Sequence, residues 1–156
     1  MNTVTAINTV RDRLRTLLTD PKVTAGSINS RTWIWSDEPI VGASYPMIQF
    51  KKISNPTENI SIGSDYWEHE QVFISIWFYT KNGFKINVSG TEYTNAQLVE
   101  YYLGLIKNTL KDDFNNLFTA GVGGYRNMDT SSIEYDEKTQ LYYGNVVSRV
   151  WFFRQW

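Results

Sequence analysis

The 156-residue chain contains no cysteine. That excludes thiolate nucleophiles, thiolate metal sites and a disulfide framework, and it suits a reducing cytoplasm. A charge excess of either sign is also missing. Fifteen basic and 16 acidic side chains leave a formal net charge of −1, without the basic surplus that gives an electrostatic grip on nucleic acid. Long apolar runs are lacking too. The richest one, Val72 to Tyr79, is far too short to span a bilayer as a helix, and no uninterrupted apolar stretch follows a basic start, so neither a membrane association nor a secretory signal is expected. What is abundant is aromatic: six Trp, ten Tyr and eight Phe, 15% of the chain. Groups of that size are stable in a core, in a subunit interface or under a ligand. The length fits one domain, 1–156, able to bury roughly 70% of the surface of its unfolded chain.

Periodicity outlines the elements. Val4, Ile7, Val10, Leu14, Leu17 and Leu18 recur at three- and four-residue steps and predict an amphipathic helix over about Thr3 to Leu18. Asn2 or Thr3 caps its start, and Asp20-Pro21 closes it. Arg11, Arg13 and Arg15 are placed on its solvated face. Residues 22–31 read as a loop. Thr32 to Ser36 is a short strand candidate carrying Trp33 and Trp35. Met47 to Ile53 follows as a strand with Ile48 and Phe50 on one side. Ser54 to Asp65 is polar, either a loop or a protruding hairpin.

Tyr66 to Tyr79 alternates with period two. Glu68, Glu70, Val72, Ile74, Ile76 and Phe78 share one face; Trp67, His69, Gln71, Phe73, Ser75, Trp77 and Tyr79 share the other. Asn82-Gly83 predicts a type I′ hairpin turn into a return strand of Phe84, Ile86 and Val88. Thr94 to Gln97 has the pattern of a capping box, with Tyr93 and Leu98 as its hydrophobic staple. Leu98, Tyr102, Leu105, Ile106 and Leu110 then mark the second helix. Residues 112–124 are ambiguous. Ile133 and Tyr135 suggest a strand, 136–139 a charged turn, and Leu141 to Phe153 a long closing strand with Val146, Val150 and Phe152 on one face and Val147, Trp151 and Phe153 on the other. The predicted class is α+β, a mainly antiparallel sheet with two amphipathic helices packed on one face.

This pattern holds more apolar sheet surface than two helices can shelter. A pair of helices covers about one face of a four- or five-stranded sheet, and a large bare aromatic patch is unusual on a monomer. Either the sheet folds over on itself or a further subunit covers it, and the subunit is the preferred reading. The candidate interface residues are Trp77, Tyr79, Trp151 and Phe153, with Phe84 and Ile86 on the hairpin.

Candidates for chemistry are sparse. His69 is the only histidine, and its neighbours Glu68 and Glu70 point to the opposite strand face, so no general-base or metal constellation forms around it. Glu68 and Glu70 themselves are about 7 Å apart on one strand, a spacing compatible with paired glycosidase carboxylates but equally with a solvated strand end. Asp112-Asp113 and Asp136-Glu137 lack the converging oxygens of a calcium or magnesium loop. Gly121 to Gly124 lacks the lysine and hydroxyl residue of a phosphate loop and reads as a connector. The tryptophans could supply a sugar-stacking platform, although core and interface packing is their usual role. No catalytic residue, metal site or cofactor is expected.

The order of these segments resembles the tail-terminator, or tail-completion, proteins of long-tailed bacteriophages. The likeness rests on the helix VTAINTVRDRLRTLL, the strand opening YPMIQFKKI, the long strand HEQVFISIWFYTKNG, the helix TNAQLVEYYLGLIKNTL and the final hairpin IEYDEKTQLYYGNVVSRVWFF. It implies a sheet with two packed helices, assembled as a ring, commonly of six subunits, at the head-proximal end of the tail in the virion. Such a ring ends polymerisation of the tail tube protein and joins the tail to the head–tail connector or stopper protein. DNA passes through it without sequence-specific binding, and the family carries no catalytic residues. The long polar stretch Ser54 to Asp65 and the hairpin Phe84 to Thr91 depart from the family pattern. A neighbouring connector, a minor tail protein and an aromatic-surface carbohydrate-binding module are the alternatives.

Overall fold

The computed structural model describes residues 2–24, 33–36, 44–54, 57–62 and 65–155, and the side chains of 2–23, 33–36, 44–53 and 69–153. In chain order these form helices α1 (Thr3–Leu17) and α2 (Pro21–Thr24), then strands β1 (Ile34–Trp35), β2 (Met47–Ser54), β3 (Thr57–Ile62), β4 (Asp65–Lys81), β5 (Lys85–Val88) and β6 (Thr91–Thr94). Helices α3 (Asn95–Asp112) and α4 (Phe114–Thr119) follow, and strands β7 (Gly124–Thr130), β8 (Glu134–Asp136) and β9 (Leu141–Gln155) end the chain. The fold is α+β. A seven-stranded sheet runs β1-β2-β4-β9-β7, with β3 also paired to β4 and β8 to β9. Only β1 and β2 are parallel; every other pairing is antiparallel. The sheet is five strands across, as expected; β3 and β8 lie end to end with β2 and β7 along the outer edges of β4 and β9.

Its spine is the β4–β9 pair, in register from Trp67↔Gln155 to Lys81↔Leu141. The alternation read from the sequence fixes the two faces. Val72, Ile74, Ile76 and Phe78 of β4 and Val146, Val150 and Phe152 of β9 are all buried on the inner face. There they join Ile48 and Phe50 of β2, Ala6, Val10 and Leu14 of α1, and Leu98, Val99, Tyr102, Leu103, Ile106 and Leu110 of α3 in one core cluster. Each large side chain buried there contributes about 1.5–3 kcal/mol of transfer free energy. Phe78 stacks on Tyr102 with ring centroids 4.5 Å apart, and Trp33 meets the same tyrosine edge-on at 5.9 Å. Helix α3 can lie close to β9 at Gly144, where a Cβ would come within 3.0 Å of Leu103 Cδ1.

Helix α1 starts as expected, with Asn2 Oδ1 accepting from the Thr5 amide at 2.8 Å. Its buried stripe differs: Ala6, Val10 and Leu14 face the core, while Val4 and Leu17 are 66% and 43% exposed. The small Ala6 side chain lets the helix turn that edge inward. The three arginines do not form a solvated face. Arg13 makes a bidentate pair with Asp113, Nε to Oδ2 at 2.5 Å and a terminal nitrogen to Oδ1 at 2.6 Å. Arg15 donates twice to the Ile34 carbonyl oxygen, at 2.9 and 2.6 Å, and Arg11 donates to Ser36 Oγ at 2.6 Å. They tie α1 to the α3–α4 junction and to β1. Pro21 opens the short α2, within the stretch expected to be loop.

Two local signals resolve differently from their sequence reading. Of the pair Asn82-Gly83, only Gly83 has positive φ, +86°, so the type I′ turn does not form, and β5 leaves β4 to pair with β6 in a separate two-stranded sheet. The turn with both central residues at positive φ is Ser89-Gly90, at +51° and +86°, as a two-residue hairpin loop requires. The capping box of α3 is also absent. Thr94 Oγ1 donates to the Phe84 carbonyl oxygen at 2.9 Å and makes no side-chain cap bond. Asn95 Oδ1 accepts from the Gly83 amide at 2.9 Å. The start of α3 is therefore committed to holding the 81–84 turn.

Candidate functional site

The inner sheet face is covered; the outer one is the candidate site. The buried residues of α1, α3 and α4 all belong to the inner cluster, so these helices pack on the other side of the sheet. On β4 the outer residues are Gln71, Phe73, Ser75, Trp77 and Tyr79, and the register sets Tyr143, Asn145, Val147, Arg149, Trp151 and Phe153 of β9 beside them. Met47, Gln49 and Lys51 of β2 extend the face on one side.

Aromatic rings dominate it. Trp77, Tyr79 and Tyr143 form a cluster with centroid separations of 6.1, 5.8 and 6.0 Å, and Tyr45 reaches Tyr79 at 6.4 Å. Phe153, 49% exposed, stacks on His69 at 5.2 Å. Two cations sit on the tryptophans: Lys51 Nζ lies 5.5 Å from the Trp77 ring and the Arg149 guanidinium 4.9 Å from that of Trp151. Such contacts lower the hydration of the charge and favour desolvation. Between the rings the sheet floor is polar: Asn145 Nδ2 donates to Ser75 Oγ at 2.5 Å, while Arg149 Nε is buried without a hydrogen-bond partner. Partial burial, reinforced by the rings of Tyr45 and Tyr143, raises the Tyr79 hydroxyl above its ordinary pKa. A hydrogen bond to Glu134 at 3.0 Å does the same to Tyr143. Both phenols thus stay neutral donors at physiological pH.

Trp77, Tyr79, Trp151 and Phe153 share this face, as the alternation indicated. Phe84 and Ile86 do not. Ile86 is 6% exposed inside the core cluster and Phe84 packs against that cluster, because β5 turns away from β4. Sequence reasoning missed Tyr143, Lys51 and Arg149. Tyr143 stands eight residues, an even step, before Trp151 on β9 and so was accessible to the same period-two count; Lys51 required the β2–β4 register.

The chemical candidates are dispersed. Glu70 is 5% exposed on the inner face, accepting from Thr3 Oγ1 at 3.3 Å, so it is not part of a solvated strand end; the Glu68 side chain lies outside the described residues. His69 is on the opposite face against Phe153. Asp113 is buried beneath Arg13, and Asp136 Oδ1 accepts from the Lys138 amide in its turn at 2.9 Å. Among the described residues no three His, Asp or Glu side chains converge. The glycine-rich segment is a structured join: Gly123 N–H donates to the Trp151 carbonyl oxygen at 2.8 Å and Gly124 opens β7. Of the tryptophans, Trp33 is buried in the core, Trp35 is half-buried beside Gln49 on the outer face, Trp77 and Trp151 are on the open face, and the Trp67 side chain and Trp156 lie outside the described residues.

No family model and no curated protein matches the chain. Among solved structures it is similar to a chain of one described as "Virion of native gene transfer agent (GTA) particle", with a TM-score of 0.45 and 14% sequence identity over 95% of this chain and 94% of that one.

Proposed function

We propose that this protein is a structural subunit of a phage-type particle. In this reading it closes into a ring through the outer face of its sheet, at the head-proximal end of a tail tube, where it ends tube growth and offers a surface to the head–tail connector. The observation that carries it is the aromatic outer face, which no described element covers. The face spans four strands at about 4.8 Å spacing and about ten residues at 3.3 Å, roughly 600 Å² in plan. That is the order of the 800 Å² or so that each partner buries in an interface of standard size. Aromatic residues with a few flanking cations are the composition of interface centres. The role at the tail end follows from the resemblance in segment order, and the mechanism it assigns is geometric: a head-to-tail contact repeats until rotation closes the ring. It gives no side chain a catalytic part.

The test is the mass of the purified protein in solution over a range of concentrations, with images of the particles. A discrete closed oligomer is expected, lost when Trp77 and Trp151 are both replaced by alanine. A protein that stays monomeric at every concentration would rule the ring out.

A further inference from the structure

The side of α3 away from the sheet carries a second, different surface. A groove of about 620 Å³ runs between α3 and β6, with Tyr93, Tyr101 and Leu105 as its apolar wall, Gly104 in its floor, and Glu92 and Glu100 on its margins. Tyr93 and Tyr101 pack together with centroids 4.6 Å apart. Among the described residues the lining includes no cation; Lys85 reaches Glu92 from outside at 3.4 Å, with both side chains mostly exposed.

Gly104 is the informative residue. It lies within an 18-residue helix, where glycine is less favourable than alanine. Nothing among the described residues demands it: a Cβ built there meets none of their atoms within 4 Å, and Gly104 is not among the residues at positive φ. By contrast, Gly144 and Gly124 each face a side chain that a Cβ would press. A glycine that folding does not need, in the floor of a groove, is suited to the close approach of another molecule. Gly104 is two residues from both Tyr102 and Ile106, about 200° round the helix from the buried stripe. The groove therefore opens on the side of the domain opposite the aromatic sheet face.

We infer that this groove receives the aromatic sheet face of a second copy of the same chain, so that Trp77 and Trp151 with their cations Lys51 and Arg149 meet Glu92, Glu100 and the Gly104 floor of the neighbour. The inference rests on the ring reading and specifies its contact. A head-to-tail contact needs two unlike patches on different sides of each subunit and closes into a ring when the rotation between copies closes; these two patches are unlike and on different sides. Their charges are complementary where the tryptophans stand: Lys51 and Arg149 lie over the two indoles, and the groove margin is acidic. The outer face also bears Asp129 and Glu134, but toward its β7–β8 side, with Glu134 engaged by Tyr143.

The experiment is a charge swap with a helix-stabilising probe, read by mass in solution. Glu100→Lys and Lys51→Glu are each expected to weaken assembly at least about tenfold, and the double variant to regain most of it, because opposite charges face each other again. Gly104→Leu is expected to raise the Tm of the dilute monomer by about 1–3 °C, from helix propensity alone, while blocking assembly. If wild type assembles and Trp77→Ala/Trp151→Ala dissociates it, but Gly104→Leu and Glu100→Lys assemble normally, the groove is not the partner surface and the ring reading stands. If the double charge variant is no better than the singles, the pairing of these two faces is wrong. If wild type never assembles, both readings fall.

Discussion

The Trp151 indole lies directly over Gly124, its cross-strand partner at the edge of the sheet: a Cβ at position 124 would overlap the ring atoms Cε2, Cζ2 and Nε1. Two strands distant in sequence are thereby fitted to each other on the face proposed to meet a neighbouring subunit. The glycine that opens β7 seats one of the tryptophans of that face.

Gly124→Ala should therefore push Trp151 out of its position. The expected loss is about 1–3 kcal/mol, the usual cost of overpacking, seen as a lower midpoint in urea. In a Trp151→Ala background the same substitution should cost much less. Additive losses would show that the indole is not what excludes the methyl group.

Substitutions on the two sheet faces should separate fold from assembly. Phe78→Ala empties a fully buried site and should cost about 3–5 kcal/mol. Trp77→Ala and Trp151→Ala remove half-exposed rings with cross-strand contacts and should each cost about 1 kcal/mol, with assembly lost while the circular dichroism spectrum is kept. Comparable unfolding by all three would mean that the outer tryptophans are core residues.

The Arg13–Asp113 pair should make stability fall in acid. The hydrogen bonds from Arg13 hold the Asp113 carboxyl below its ordinary pKa of 3.8, against an opposing contribution from burial. A carboxyl with a lowered folded-state pKa stabilises above its unfolded value, and that stabilisation disappears as pH falls from there through the folded value. The Tm of wild type and of Asp113→Asn should converge below pH 3.8 and differ above it. Near neutral pH the asparagine variant should be less stable by about 1.5–3 kcal/mol, the range for hydrogen bonds to charged groups. A constant difference across the titration would disconnect this pair from the acid response.

One substitution should have opposite signs at two glycines. Gly90, at φ +86°, forms the β5–β6 turn, and Gly90→Ala should destabilise by about 1–2 kcal/mol from left-handed backbone strain. Gly104→Ala, on regular helix with open space around it, should stabilise the monomer by a little under 1 kcal/mol. Thermal melts of the two dilute variants test both signs.

Much of this fold was legible locally. The stripe of α3 and the alternation of β4 and β9 are carried by the side chains themselves, because a helix or strand repeats its direction every 3.6 or two residues. Hence Trp77, Tyr79, Trp151 and Phe153 were placed on one face without coordinates. The same local logic misplaced Phe84 and Ile86. Asn82-Gly83 is a good hairpin signal, but β5 has two possible partners, and pairing with β6 through Ser89-Gly90 buries Ile86 while the Thr94 and Asn95 side chains hold the 81–84 turn.

By itself, then, the sequence determined which residues share a face and that the apolar surface exceeds what two helices cover. Tertiary structure alone decided which strands are neighbours, that the arginines of α1 are ties to Asp113, Ile34 and Ser36 rather than a wet surface, and that Gly124 lies under Trp151 while Gly104 lies under nothing. The division has a physical cause. A face is set by backbone geometry over a few residues, whereas a partner is set by competition among contacts a hundred residues apart, such as Arg13 with Asp113, whose outcome no local pattern records.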